Sequence, residues 1–241
     1  MLSIAQFNWP FYVAALAVLA VAIFGLIFGS PPAKLCCAAA ILGAAYFLIG
    51  SLGVSHLIYD RSDLYRWQWL DRAMRGATLR RVIFCHAGFD ETSGNLRQRF
   101  GHAEWQILDH FDEQRMTEAS IRRARLKFPP TPETLPCPYD RWSASDESAE
   151  AVFGLLAIHE LRSEGERTAW FVEARRCLSR DGRVVLVEHV RDLANFLAFG
   201  PGFLHFHSRA SWQRTWESAG FRLHDEFRVT PWVRVFVLVR A

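Results

Sequence analysis

The first sixty residues decide most of what this chain can become, because they carry only two charged side chains, Lys34 and Asp60. The rest of its 28 basic and 25 acidic residues all lie further on. Residues 11–28 are uncharged and overwhelmingly apolar, and so are residues 35–58. An α-helix rises about 1.5 Å per residue, so about 20 apolar residues cross a hydrocarbon core of about 30 Å. Gly29-Ser30-Pro31-Pro32 separates the two stretches and cannot continue a helix. The pattern predicts a hairpin of two transmembrane helices over residues 1–60. A cleavable signal peptide is disfavoured, since residues 1–10 contain no basic side chain. His56, at the end of the second stretch, reads as an interfacial residue. The turn offers one basic residue, Lys34, whereas Arg61, Arg66, Arg72, Arg75, Arg80 and Arg81 follow the second span. The positive-inside rule then places the C-terminal part in the cytoplasm, and the N-terminus with it.

Beyond the hairpin the chain has ordinary globular material. Apolar residues make up 51% of the whole, and Pro, Gly and Cys are not enriched. Disordered, collagen-like and disulfide-rich classes are thereby excluded. The five cysteines form no CxxC pattern, and no zinc motif is visible. A net charge of +3 without a basic run makes nucleic acid a poor partner. Ser62 is placed to cap a short helix starting at Asp63. Leu64, Trp67, Leu70 and Met74 then share one face, with Arg66 and Arg72 beside it. Residues 61–79 therefore read as an amphipathic linker helix. It lies on the membrane surface with Trp67 and Trp69 at headgroup depth, packs on the following domain, or does both.

From residue 80 the pattern alternates. Strands are expected at residues 81–85, 104–108, 151–158 and 184–188, with a closing pair at 221–229 and 233–240 around Thr230-Pro231. Helices are expected at 113–127, at 166–178 with a stop at Asp181-Gly182, and at 208–219 with a stop at Gly220. Alternating units argue for an α/β fold with a parallel sheet flanked by helices. Ligands of such sheets sit beyond the carboxyl ends of the strands.

The order of elements resembles that of class I S-adenosylmethionine-dependent methyltransferases. Three passages carry the resemblance: AVFGLLAIHEL (residues 151–161), FVEARRCLSRDGRVVLVEHV (171–190) and the terminal strand pair. Together they cover about residues 80–241. A narrower resemblance, carried by EHVRDLANFLAFGPGFLHFHSRASW (188–212), is to membrane-attached bacterial methyltransferase-like proteins. Patterns at residues 59–70 and 117–125 accompany it. It implies a Rossmann-like methyltransferase sheet over residues 80–241, with helices on both faces and an antiparallel final pair. The implied cofactor is S-adenosyl-L-methionine, and the implied location is a bacterial inner membrane.

The family's first motif is altered. An acid and a glycine-rich turn normally follow the first strand, but Phe84 or Cys85 stands where the acid is expected. Gly88 alone remains near the turn, and Asp90 or Glu91 is the charge available at a shifted position. Asp109, 21 residues after Gly88, ends the second strand. It is placed to accept both ribose hydroxyls, or else to cap the next helix. His110 and Phe111 could then line the adenine, and Ser145-Asp146 is a weaker candidate for the same role.

Methyl transfer from a sulfonium requires alignment, exclusion of water and, for weak nucleophiles, removal of a proton. His159-Glu160 and Glu188-His189 occupy the ends of the strands at 151–158 and 184–188, which resemble the family's fourth and fifth strands. His159 is the first candidate for base or substrate orienter, with Glu188 or His189 second. Capping and ion pairing are the plainer roles for the same residues. Arg191, Asp192 and Asn195 could hold a polar head group. Residues 200–206, with Phe196, Leu197 and Phe199, form an apolar lid-like segment that includes Phe203 and His205. His205 and His207 alternate there without an evident third ligand, so no metal site is predicted. An apolar lid beside a membrane hairpin suggests a lipophilic acceptor, such as a quinone, an isoprenoid or a lipid head group.

The leading expectation is a membrane-anchored methyltransferase acting on a lipophilic or membrane-associated small molecule, with the bilayer as its other partner. A non-catalytic methyltransferase-like binding or scaffold protein is the first alternative, supported by the altered glycine turn. A nicotinamide-dependent oxidoreductase is the second, and the missing G-x-G-x-x-G weighs against it.

Overall fold

The computed structural model describes residues 6–241; the first five residues of the expected hairpin segment lie outside the described residues. Helix α1 (Trp9–Phe28) and helix α2 (Pro31–His56) form the apolar hairpin, and a π turn (Leu57–Arg61) extends the second. Their mean hydropathies of 2.7 and 2.1 and lengths of 20 and 31 residues make both long and apolar enough to cross a membrane. Phe11, Val21, Phe28, Leu35, Leu42 and Ile49 point outward, so apolar surface covers the hairpin on all sides. Gly25 lets the helices approach: a Cβ there would stand 2.5 Å from the Cys37 sulfur.

The segment joining hairpin and domain is not one continuous helix. Ser62 Oγ accepts from the Leu64 amide at 3.1 Å, but Trp67 adopts a positive φ of 64° and breaks the run. Helix α3 (Trp69–Ala73) follows. The face foreseen in the sequence is real even so. Leu64, Trp67, Leu70 and Met74 are all buried, with Trp69 and Ile58, against one face of the sheet. Both tryptophans expected at headgroup depth are thus inside the protein.

The seven-stranded sheet comprises β1 (Arg81–His86), β2 (Glu104–Asp109), β3 (Thr134–Pro136), β4 (Ala149–Leu155), β5 (Leu178–His189), β6 (Phe221–Thr230) and β7 (Val233–Arg240). Its order is β3-β2-β1-β4-β5-β7-β6. The first five strands run parallel, while β7 is antiparallel to both β5 and β6. Alternate residues supply two cores. Val82, Phe84, Phe153, Val185 and Val235 face the linker segment; Ile83, Cys85, Val152, Leu186 and Phe236 face the opposite way. The second core is closed by α6 (Glu164–Cys177) and α8 (Arg209–Ser218), which contribute Trp170, Trp212 and Trp216.

Several boundaries differ from the pattern, each for a local reason. The helix expected over 113–127 is α5 (Ala119–Lys127), because the Asp112 carboxylate accepts from the Gln114 amide and turns the chain first. Helix α6 starts at Glu164 because Ser163 and Glu166 cap each other reciprocally. Strand β4 starts at Ala149 and ends at Leu155, where Leu156 takes a φ of 52°. The expected turn at Asp181-Gly182 lies inside β5. The pairing there jumps from Ala149–Leu178 to Ala151–Arg183, so the intervening residues bulge without ending the strand. Helix α4 (Ser93–Arg99) follows the β1 turn, and α7 (Leu193–Phe199) with a 3-10 segment (Gly200–His205) forms the lid. The lid lies beside α2: the Tyr46 hydroxyl donates to the Leu197 carbonyl.

Candidate functional site at the carboxyl ends of the strands

The break after β4 and the last turn of β5 bring buried ionisable groups together. Glu188 is completely buried. One carboxylate oxygen accepts from the Ile158 and His159 amides at 3.0 and 3.2 Å, and the other meets His159 Nδ1 at 2.7 Å. On its other edge, His159 Nε2 lies 3.4 Å from Glu160 Oε1. His205 Nε2 approaches the same oxygen at 3.4 Å, and His205 Nδ1 meets Glu118 at 3.1 Å. Burial opposes a charge on His159, but Glu188 and Glu160 outweigh it and raise the imidazole to about 10. Burial also works against ionised Glu160, yet its two histidine partners hold it below the usual carboxylate range. His205 is raised despite burial by Glu118 and Glu160. His159, expected as base or substrate orienter, is thus held between two carboxylates that favour its protonated form.

The residues around this chain of charges are mostly fastened to the fold. His189 accepts from the Tyr59 hydroxyl at 2.9 Å, and its Nδ1 faces the Asn195 side-chain oxygen and the Trp232 carbonyl. Burial, then the charge on His159, lowers His189 to about 4, so it stays neutral. Asn195 is fully buried and donates to the Val190 and Trp232 carbonyls. Arg191 donates to the Phe206 and Leu204 carbonyls, both at 2.8 Å. His189, Arg191 and Asn195, expected as base or substrate contacts, thus hold β5, the lid and the β6–β7 turn together. Phe203 packs edge-on to Phe196 in the lid. Leu193, Phe196, Leu197 and Leu204 are exposed there.

The other end of the strand edge is built around Gly88. Its φ of 90° needs glycine, and a Cβ there would meet the Phe111 ring at 2.6 Å and Ile121 at 3.1 Å. Asp109 is buried. Its Oδ1 accepts from the Gly88 and Phe111 amides at 2.9 and 3.0 Å, and Arg125 donates to its Oδ2 at 2.5 Å. Arg125 also lies over the Phe111 ring. Asp90 accepts from the Thr92 and Ser93 amides in the turn that leads into α4. His110 stacks on Trp142 and bonds the Cys137 carbonyl, and burial lowers it to about 4. Glu91 receives the Tyr65 hydroxyl and borders a 110 Å³ cavity with Tyr59, Phe84, Phe89 and Leu155. Ser145 lines a cavity beside Arg81 and Glu104, at the amino ends of the strands, and Asp146 pairs with Arg176. Neither can reach a ligand at the carboxyl edge.

No protein-family model matches the sequence, and no curated protein matches it. Solved structures do match. A SAM-dependent methyltransferase from Aquifex aeolicus is similar with a TM-score of 0.56 and 15% identity, over 78% of this chain and 93% of that one. Geranyl diphosphate C-methyltransferase from Streptomyces coelicolor A3(2) is similar at a TM-score of 0.53 and 12% identity, over 73% of this chain and 78% of that one. It was solved with Mg2+, geranyl diphosphate and S-adenosyl-L-homocysteine. The chain has the class I methyltransferase fold. A cyclase, SpnF, is similar too, at a TM-score of 0.50 and 12% identity over 71% of this chain and 78% of that one, so this fold alone does not fix a reaction.

Gly88 and Asp109 are the residues expected from the sequence to hold the nucleoside part of a cofactor. In this structure the protein's own groups occupy much of that corner. Three of the roughly four acceptor positions of the Asp109 carboxylate are taken, two on Oδ1 by the Gly88 and Phe111 amides and one on Oδ2 by Arg125. Phe111 and Ile121 cover the turn that a cofactor would approach. The adjacent 110 Å³ cavity is smaller than the roughly 300 Å³ at which small-molecule pockets begin. His86 completes this picture: it is buried, neither ring nitrogen has a hydrogen-bond partner, and Nδ1 stands 3.5 Å from Asp109.

The sequence reading missed Glu118, and it gave Arg162 and Arg125 no part in the site. Glu118 is the N-cap residue of α5 and reaches His205 across the fold. Arg162 donates to the carbonyls of both His159 and His205. Arg125, on α5, donates to Asp109.

Proposed function

We propose that this chain is a membrane-anchored S-adenosylmethionine-dependent methyltransferase acting on a lipophilic or membrane-associated small molecule. The observation that carries it is the buried His159–Glu188 pair at the carboxyl ends of β4 and β5 of a methyltransferase sheet, under an aromatic lid that touches α2. Tyr46 lies ten residues before His56, so the lid meets α2 about 15 Å from its C-terminal end. Exposed Leu193, Phe196, Leu197 and Leu204 are then level with the apolar part of the hairpin. An acceptor dissolved in the bilayer reaches the charged cluster beneath this lid without crossing water. The isoprenoid diphosphate bound by the Streptomyces coelicolor neighbour is consistent with such an acceptor class. The protein's own contribution is orientation, exclusion of water by the lid, and a proton held on His159 between two carboxylates.

A second reading is favoured by one observation, the closure of Asp109 by Arg125 and Phe111. On it, the chain is a non-catalytic methyltransferase-like membrane protein. Calorimetric titration of the detergent-solubilised full chain with S-adenosyl-L-homocysteine separates the two. The enzyme reading expects binding that strengthens in Arg125→Ala, where the carboxylate is freed, and disappears in Asp109→Ala. Labelled donor incubated with total lipid extract should then yield a labelled lipid product. No binding by the wild type or by Arg125→Ala selects the second reading.

A further inference from the structure

We infer that His159, Glu160 and His205 form a binding site for one divalent transition-metal ion. One ring nitrogen of His159, one carboxylate oxygen of Glu160 and one ring nitrogen of His205 lie within 4.8 Å of one another. Glu160 Oε1 stands 3.4 Å from the Nε2 of each histidine. Donors that share a zinc-sized ion at about 2.0–2.1 Å are about 3.3 Å apart along a tetrahedral edge. The two measured separations already have that span.

The outer atoms are arranged as such a site requires. A metal-bound histidine uses one nitrogen for the ion and donates its other N–H to a carboxylate, which fixes the tautomer and the ring plane. Both histidines do this here: His159 Nδ1 meets Glu188 at 2.7 Å and His205 Nδ1 meets Glu118 at 3.1 Å. Both Nε2 atoms then face Glu160. The backbones are fixed as well. Arg162 donates to the His159 and His205 carbonyls at 3.1 and 2.5 Å, and His207 Nε2 bonds the His159 carbonyl at 3.1 Å. His207, the alternating partner of His205 in the sequence, is a support and not a donor.

Charge balance points the same way. Three carboxylates, Glu118, Glu160 and Glu188, face two imidazoles. That excess of acid compensates the charge of a divalent ion. The cluster is not sealed, since the His205 side chain keeps 24% of its exposure. Three protein donors leave coordination positions for water or an acceptor oxygen, as in catalytic rather than structural sites. The inference concerns the same cluster as the proposed function but does not depend on methyl-donor binding.

The test uses the full chain in detergent after removal of metals with EDTA. ZnCl2 is titrated by calorimetry, and CoCl2 is followed by its visible d–d absorption. One equivalent per chain is expected, with the Co2+ spectrum of a four- or five-coordinate nitrogen–oxygen site. His205→Ala and Glu160→Gln should each weaken binding by about ten-fold or more, and Glu118→Gln by about ten-fold through its histidine. Glu118 is half exposed, and a thermal unfolding scan of its variant checks that the fold is kept. His224→Ala, on an exposed strand position, should change nothing. Uptake well below one equivalent, or uptake unaltered in the His205→Ala, Glu160→Gln double variant, overturns the inference. Titration of the EDTA-treated chain with S-adenosyl-L-homocysteine reports separately on the methyltransferase reading.

Discussion

Replacing Glu188 by glutamine isolates one interaction at the heart of the site. The remaining oxygen can keep accepting from the Ile158 and His159 amides, now at 3.0 and 3.2 Å. What is lost is the charge facing His159 Nδ1 at 2.7 Å. A hydrogen bond to a charged group contributes about 1.5–3 kcal/mol, and leaving a buried charge without its partner costs about 3–5 kcal/mol. The imidazolium escapes part of that cost by releasing its proton, so Glu188→Gln should destabilise by about 2–3 kcal/mol. Glu188→Ala should cost at least about 2 kcal/mol more, because two buried amides lose their acceptor and a cavity opens. The nine tryptophans allow chemical unfolding of the EDTA-treated chain in detergent to be followed by fluorescence. The pH dependence identifies the cause. His159 is raised to about 10, above the unfolded value near 6.5, so its contribution is complete below about pH 6.5 and is lost as pH rises through 10. The gap between wild type and Glu188→Gln should therefore shrink between those limits. A gap that does not change with pH, or a glutamine variant as stable as wild type, would refute the assignment of charge to this pair.

Acid should unfold the domain by a different route. His110 and His189 are held near 4 and His207 near 3, chiefly by burial. Below about pH 6.5 the unfolded chain takes protons that the folded chain refuses, so each group removes about 1.4 kcal/mol per pH unit as pH falls toward 4; denaturation midpoints at pH 7, 6 and 5 check this. Leu70→Ala should cost about 2–5 kcal/mol by thermal unfolding, since Leu70 is wholly buried between linker and sheet. If the linker lay on the membrane instead, the substitution would be nearly silent. Ser163→Ala should cost about 1 kcal/mol, as it removes the cap whose oxygen accepts from the Glu166 amide at 3.1 Å.

Which of these features a sequence can disclose follows from how far apart the cooperating residues are. The hairpin is legible because absence of charge is a property of each short window. The strand order is legible because strand and helix spacing, with the passages around residues 151–161 and 171–190, is shared with other methyltransferase-fold chains. The linker is a mixed case. Leu64, Trp67, Leu70 and Met74 do share a buried face, but the positive φ of Trp67 shows that the face is made by a turn and a short helix. Periodicity reports which residues go inward without fixing the backbone that takes them there.

The site divides along the same line. His159 with Glu160, and Glu188 with His189, are adjacent in sequence, and the strand ends that carry them could be located. Their distinct duties could not. Glu188 and His189 are neighbours on β5, so their side chains leave opposite faces of the sheet, one into the charged cluster and the other toward Tyr59 and Trp232. Glu118 lies 41 residues before His159 and meets the cluster only through His205, so no local spacing announces it. Arg125 lies 16 residues beyond Asp109, and whether it closes the carboxylate or leaves it to a ligand depends on where α5 lands. Sequence position identified Asp109 as the acid at a strand end, and tertiary packing assigns that acid its partners. Arg125→Ala is therefore the decisive variant for the cofactor end, since it changes the partner while leaving the acid, the glycine turn and the strand in place.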